Sequence, residues 1–128
     1  MKRSQRMSKL VELEQVDEKS AVSQLGLSRA HLEQQQVALK ALLEYRKEYA
    51  DQLSVQGQTG VEATRLNDYA KFITQLDDAI ELQKHQLADA ERAVIDKQKI
   101  WQGHYQRVES LSKVVQQNLN QENSIDRK

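Results

Sequence analysis

The stretch from Leu66 to Val115 reads LNDYAKFITQLDDAIELQKHQLADAERAVIDKQKIWQGHYQRVESLSKVV, and it decides the fold. Every seventh residue in it is apolar: Leu66, Ile73, Ile80, Leu87, Val94, Trp101, Val108 and Val115. At an apolar content of 38%, such a run of eight arises by chance about four times in ten thousand, so the period is a signal. A sustained seven-residue repeat keeps one seam of a long helix turned towards a partner helix.

The first half of the chain supplies a weaker seam at the same period. Val11, Glu18, Leu25, Leu32, Leu39, Arg46 and Leu53 are spaced by seven, and five of them are apolar. Between the two stripes lies Ser54-Val55-Gln56-Gly57-Gln58-Thr59-Gly60-Val61-Glu62. Gly57 suits the left-handed position that ends a helix. Thr59 with Glu62 three residues on reads as a capping box. The expectation is an all-α fold, two long helices forming an antiparallel coiled-coil hairpin. It forms a single elongated domain over 1–128, with helix one over about 4–56, a turn at 57–59, helix two over about 60–119 and a loose tail at 120–128. The chain has no proline to interrupt either arm. An arm of fifty residues spans roughly 75 Å.

In an antiparallel pair, seam positions meet a to d. With Leu66 and its repeats at a, the d residues are Tyr69, Leu76, Gln83, Ala90, Lys97, His104 and Leu111. With Leu25 and its repeats at d, the a residues of helix one are Gln15, Val22, Arg29, Gln36, Leu43 and Ala50. Pairing positions whose numbers add to 119 sets Leu39 by Ile80, Leu32 by Leu87 and Gln36 by Gln83, the last a polar layer able to fix register. Centring the hairpin on the turn residues shifts this by about one helical turn. The far end is the weaker one: Glu18 meets Trp101, and Gly26 and Gly103 sit inside helices at about 1 kcal/mol each relative to alanine.

Composition narrows function further. A mean hydropathy of −0.79 with 30% charged residues suits two paired helices wet on all outer sides. Without cysteine there is neither disulfide nor thiolate chemistry. No apolar run reaches transmembrane length, and no apolar segment follows the basic residues Lys2, Arg3, Arg6 and Lys9 to make a secretory signal. A cytoplasmic protein that does not insert in a membrane is expected. His31, His85 and His104 show no metal-ligand spacing, and no catalytic, cofactor or metal residues are expected. Nineteen basic and nineteen acidic residues cancel, and Glu12, Glu14, Asp17 and Glu18 follow the basic cluster at once, which argues against nucleic acid. Glu44 with Lys47 and Glu81 with Lys84 read as ordinary surface pairs, and Asp77 with Asp78 as a solvated face.

Apolar side chains lie beside the seam as well as in it. Tyr69, Phe72, Leu76, Ala79 and Gln83 form a stripe wider than two helices require, and Tyr45 and Tyr49 fall off the seam of helix one. These residues either thicken the core near the turn or form a docking surface for another protein.

The same residues carry a resemblance. Leu42-Leu43-Glu44-Tyr45-Arg46-Lys47-Glu48-Tyr49, a glycine-bearing turn, and then Asn67-Asp68-Tyr69-Ala70-Lys71-Phe72-Ile73-Thr74-Gln75-Leu76-Asp77-Asp78-Ala79-Ile80, with Trp101 later, resemble the bacterial flagellar export protein FliJ family. The resemblance implies a non-enzymatic component of the flagellar type III export apparatus, similar to the stalk subunit of rotary ATPases. It implies as partners the hexameric export ATPase, the export gate membrane protein FlhA and substrate-specific export chaperones, with the chain a monomer when free. It places the protein in the cytoplasm, peripherally associated with the inner-membrane apparatus. It implies gate contact through Phe72, Leu76, Ala79 and Gln83, the last standing where the family commonly has histidine; Tyr45, Tyr49 and Tyr69 are the possible docking surface beside them. A stalk of an injectisome, or a self-associating coiled-coil scaffold, are the alternatives.

Overall fold

The computed structural model describes residues 2–60 and 62–126, with the side chain of Asp126 left out. Val61 of the turn and Arg127 and Lys128 of the expected tail lie outside the described residues. Two helices account for the fold: α1 (Arg3–Gln58) and α2 (Ala63–Asp126), packed against each other, with no strand among the described residues. The chain divides into two compact units, each an antiparallel pairing of α1 with α2. Residues 30–92 form the turn unit, and residues 1–29 with 93–128 form the terminal unit.

Both helices form because long runs of Ala, Leu, Glu, Gln, Lys and Arg meet no proline. The start of α1 is fixed by Lys2, whose carbonyl accepts from the Gln5 and Arg6 amides at 3.1 and 3.3 Å. The Gln5 side chain reaches back to accept from the Lys2 amide at 3.2 Å, half of a capping box.

At the turn the structure corrects the expected caps. Gly57 is still helical, and the left-handed residue is Gly60, at φ +79°. The amide of Thr59 closes α1 on the carbonyls of Val55 and Gln56, and its hydroxyl donates back to Gln56 at 3.1 Å. That hydroxyl therefore caps the helix behind it, not the one ahead. Glu62 itself sits at the N-cap of α2, its carbonyl accepting from Arg65 and Leu66 at 3.1 and 3.2 Å.

The far end also differs. α2 runs on through 120–126, where a loose tail was expected. Ser4 explains why: it is 3% exposed, its hydroxyl donates to Glu122 at 2.7 Å, and its amide faces the same carboxylate at 3.4 Å. A carboxylate on the first turn of a helix satisfies an orphan amide and meets the positive end of the helix dipole. The Asn- and Gln-rich composition of the tail holds no trace of this contact, whose partners lie 118 residues apart.

The seam of α2 follows its stripe: Leu76, Ile80, Gln83 and Ala90 are buried at 8, 5, 9 and 3% exposure. The seam of α1 keeps the Leu25 set, with Leu25 at 5%, but its second row is Glu14, Ala21, Ser28, Gln35, Leu42, Tyr49 and Gln56. The expected row is displaced: Gln15, Val22, Arg29, Gln36 and Leu43 are all exposed. The Leu25 set therefore occupies a and not d, so its companions lie three residues on rather than four. The polar layer exists, but Gln83 donates to Gln35, to its side-chain oxygen at 2.7 Å and its main-chain oxygen at 3.1 Å. Gln35–Gln83 and Tyr49–Tyr69 in the turn unit, and Glu14–His104 in the terminal unit, set a register close to the 119 pairing. The turn-centred alternative is not adopted.

Candidate partner-binding face

Four aromatic rings gather in the turn unit, Tyr45 and Tyr49 on α1 and Tyr69 and Phe72 on α2. Tyr49 is their hub: its ring lies 6.2 Å from Tyr45 in a stack, 6.1 Å from Tyr69 and 4.6 Å from Phe72 at 48°. Tyr45 and Tyr49 meet because they are one helical turn apart on α1, and Tyr69 and Phe72, three apart on α2, both reach Tyr49 across the hairpin. The Tyr69 hydroxyl accepts from Gln56 Nε2 at 3.1 Å, so its polar end is used inside the hairpin.

Burial sorts the expected docking residues into two groups. Leu76 and Gln83 belong to the seam and hold α1; they offer no surface. Both stand at the d positions that the seven-residue spacing gives them, facing α1. Tyr49, Tyr69 and Ala79 are half-buried at the edge of the seam. Phe72 is 38% exposed and Tyr45 55% exposed. Beside them a shallow depression of about 270 Å³ is lined by Tyr49, Arg65, Asp68, Tyr69 and Phe72. Tyr49 and Tyr69 thicken the core, while Phe72 and Tyr45 carry aromatic surface into solvent.

Asp77 is no free member of a solvated face. Arg46, at a seam position of α1, donates to it through Nε, and through Nη2 at 3.4 Å. This hydrogen bond and charge hold the Asp77 carboxyl below its ordinary range and raise the Arg46 guanidinium. A charged residue inside an otherwise apolar stripe is thereby matched across the hairpin, at the flank of the aromatic cluster. Lys84 and Glu81 pair on the surface at 3.4 Å, as their spacing implies.

The terminal unit contains a cluster that sequence spacing does not show. Glu14 projects from the seam row of α1, and His104 Nδ1 lies 2.5 Å from its Oε1. Arg107 Nε donates to the same oxygen at 3.1 Å. The His104 hydrogen bond, with the charge of Arg107, holds Glu14 below its ordinary pKa. Ligand atoms of Glu14, Asp17 and His104 fall within 4.8 Å of one another, as a cation site requires. The guanidinium of Arg107 stands on Glu14 and 3.2 Å from His104 Nδ1, so the cluster is knit as an ion-pair network around a fixed cation. The Trp101 and Tyr105 rings meet nearby at 5.7 Å, tilted by 39°, and the Tyr105 hydroxyl donates to Glu109 at 3.0 Å, which raises its pKa.

Among the described residues no helix is long and apolar enough to cross a membrane. The family profile described as "Flagellar FliJ protein" matches residues 2–128 of the chain. A relative from Salmonella typhi named Flagellar FliJ protein is 30% identical over 101 residues, which cover 79% of this chain and 69% of the relative. No solved structure matches.

Proposed function

Since the chain belongs to the FliJ family, a component of the flagellar export apparatus, we propose that it works without chemistry of its own, as a stalk for the export ATPase. It binds in the hexameric ATPase ring, promotes ring assembly and turnover, and meets the export gate protein FlhA and the substrate chaperones. It acts in the cytoplasm at the inner-membrane apparatus, as a monomer when free. The observation that carries this reading is the exposed aromatic edge of a two-helix hairpin. Phe72 and Tyr45 project from a fold whose other aromatic side chains near the turn are used internally.

The mechanism needs only asymmetry. A symmetric ring offers the same surface six times, whereas a two-helix hairpin presents different side chains in each direction. Subunits therefore bind the stalk unequally, and their nucleotide affinities diverge by the difference in binding free energy. Gate contact is assigned to Phe72 and Ala79, with Leu76 and Gln83 holding that face in place from the seam. Tyr45, with Tyr49 and Tyr69 behind it, extends the surface.

The test is reconstitution. Purified chain added to the purified export ATPase should raise both the hexamer fraction and the hydrolysis rate. Absence of either effect removes the reading. Phe72→Ala should abolish capture of FlhA while circular dichroism shows unchanged helicity; retained capture reassigns the gate surface. Light scattering of the free chain should give the monomer mass, whereas a dimer or tetramer would indicate a scaffold.

A further inference from the structure

Glu14 and His104 stand at inward-facing seam positions, where a coiled coil ordinarily places apolar side chains. Polar groups there lower stability unless each is satisfied. Satisfaction is incomplete in this layer. Arg107 holds Glu14 Oε1 at 3.1 Å. Asp17, one turn further along α1, is exposed and makes no ion pair among the described residues. Oxygens of Glu14 and Asp17 nevertheless lie within 4.8 Å of each other and of a His104 ring nitrogen. Two carboxylates so close repel each other, and the single permanent cation of Arg107 offsets only one of them.

The donor set is two carboxylate oxygens from α1 and one imidazole nitrogen from α2, with no sulfur. First-row divalent ions accept imidazole together with carboxylate, and Zn²⁺ completes three protein ligands with water. Ca²⁺ and Mg²⁺ call for more ligands, all of them oxygen. Bonds of about 2.0–2.1 Å in a tetrahedral arrangement set ligand atoms about 3.3 Å apart. His104 Nδ1 and Glu14 Oε1 are 2.5 Å apart and no pair in the cluster exceeds 4.8 Å, so small side-chain rotations reach that spacing. A depression of about 290 Å³ lined by Asp17, Ser20, Gln24 and His104 opens beside the ligands, room for several waters at roughly 30 Å³ each. Lys97 lines it as well, two turns from His104 and about 10 Å away along the axis of α2. Arg107 is the direct competitor, with Nε on Glu14 Oε1 and Nη2 3.2 Å from His104 Nδ1. Its side chain is 60% exposed, so releasing it to water costs little.

We propose that Glu14, Asp17 and His104 form a site for a divalent first-row transition ion, with Zn²⁺ the best match, which displaces the Arg107 guanidinium and clasps α1 to α2 within the terminal unit. The two carboxylates balance the double charge of the ion, as the guanidinium alone does not balance them. The ligands come from opposite helices and meet only in the folded pairing, so the ion binds the folded chain and stabilises it. The site uses no partner protein and stands independently of the stalk reading.

The experiment titrates the full, metal-free chain with Zn²⁺ by calorimetry and repeats the titration with Mg²⁺ and Ca²⁺. One saturable zinc site per chain is expected, at least about tenfold tighter than for either of the other ions. Asp17→Asn and His104→Gln should each weaken zinc binding about tenfold or more. Asp17 is exposed, so its substitution leaves the fold intact, and circular dichroism checks both variants. Arg107→Gln should tighten binding about two- to fivefold, the strength of an exposed ion pair. His31→Gln with His85→Gln, the two exposed histidines of the turn unit, should leave binding within about twofold. Hydrogen exchange with zinc present should slow around Glu14 and His104 and stay unchanged in residues 30–92. Absence of a saturable zinc site overturns the proposal. Equal affinity for Mg²⁺ or Ca²⁺ overturns it in favour of an unselective acidic surface. Zinc binding that survives Asp17→Asn and His104→Gln, or that disappears with His31 and His85, places the ion elsewhere and overturns it too. Unchanged or weaker binding by Arg107→Gln overturns the exchange with the guanidinium.

Discussion

The turn unit and the terminal unit share one seven-residue period and fill it with different chemistry. In the turn unit Leu76, Ile80 and Ala90 are buried, and the polar contacts across the seam are Gln35–Gln83, Arg46–Asp77 and Gln56–Tyr69. In the terminal unit the buried apolar residues are Ala21 and Leu25, and the other layers include Ser4–Glu122 and the Glu14–His104–Arg107 cluster. Trp101 Nε1 and Asn118 Nδ2 are buried there without partners, as Gln56 Oε1 is in the turn unit, each costing about 1–3 kcal/mol by the usual measure of an orphaned group. Gly26 and Gly103 sit in the same unit. A period therefore specifies that two helices pair, while the residues filling it specify how firmly. Among the described residues the turn unit buries Leu76, Ile80 and Ala90 where the terminal unit buries only Ala21 and Leu25, and both units add polar contacts across the seam.

Substitutions can break or sharpen this contrast. The largest effect is expected from Leu76→Ala, which should destabilise the fold by about 2–4 kcal/mol in thermal or urea unfolding, as core leucine truncations do. A loss well under 1 kcal/mol would show that burial does not dominate the turn unit. Gln35→Leu with Gln83→Leu should move the other way, raising stability by about 1 kcal/mol because an apolar pair replaces a polar pair at the seam and leaves no amide side chain without its partner. Size-exclusion chromatography should then show whether the glutamine layer also suppresses alternative pairings. Gly26→Ala should stabilise the terminal unit by about 0.5–1 kcal/mol. Its added Cβ meets nothing within 4 Å, so only the helix propensity changes.

The smallest effect is the dependence on pH. Glu14 is held below its ordinary pKa, so its contact stabilises the folded state above the unfolded-state carboxyl range. That contribution is lost as pH falls through the depressed folded value. Asp77 contributes with the same sign in the turn unit through Arg46. Arg46 and Asp77 are open to solvent and Glu14 is half-buried beside the exposed Arg107, which keeps each effect small. Protection factors from hydrogen exchange, corrected for intrinsic rates, should fall in the terminal unit on acidification, and Glu14→Gln should remove part of that fall. An identical response in wild type and variant would assign the acid sensitivity elsewhere.

Much of the fold was legible because α2 repeats so strictly. Leu66 to Val115 gave both rows of its seam, and the structure keeps Tyr69, Leu76, Gln83 and Ala90 where the spacing put them. α1 was legible in only one row. From Leu25 the second row could lie three residues on or four, and the two candidate rows are about equally apolar, so pattern alone could not choose. Choosing wrongly moved Tyr49 off the seam and named Gln36 in place of Gln35. The aromatic cluster was visible as a group of residues, but its division into core and surface followed from that phase. The Glu14–His104–Arg107 network was hidden because its members lie 90 and 93 positions apart and match no short motif.

The sequence by itself determined that two long helices form, that they pair through a seven-residue seam, and which block of residues marks the FliJ family. Those properties are local or periodic, set by helix propensity, the absence of proline and the spacing of apolar side chains along one strand of chain. The tertiary structure alone decided which row of α1 turns inward, that Thr59 closes one helix instead of opening the next, that Glu122 caps the far end of α1, and that Glu14, Asp17 and His104 come together. Each of those depends on the partner helix occupying one side of the cylinder. A side chain's neighbours three and four residues away are fixed by the chain, whereas its burial is fixed by what packs across from it.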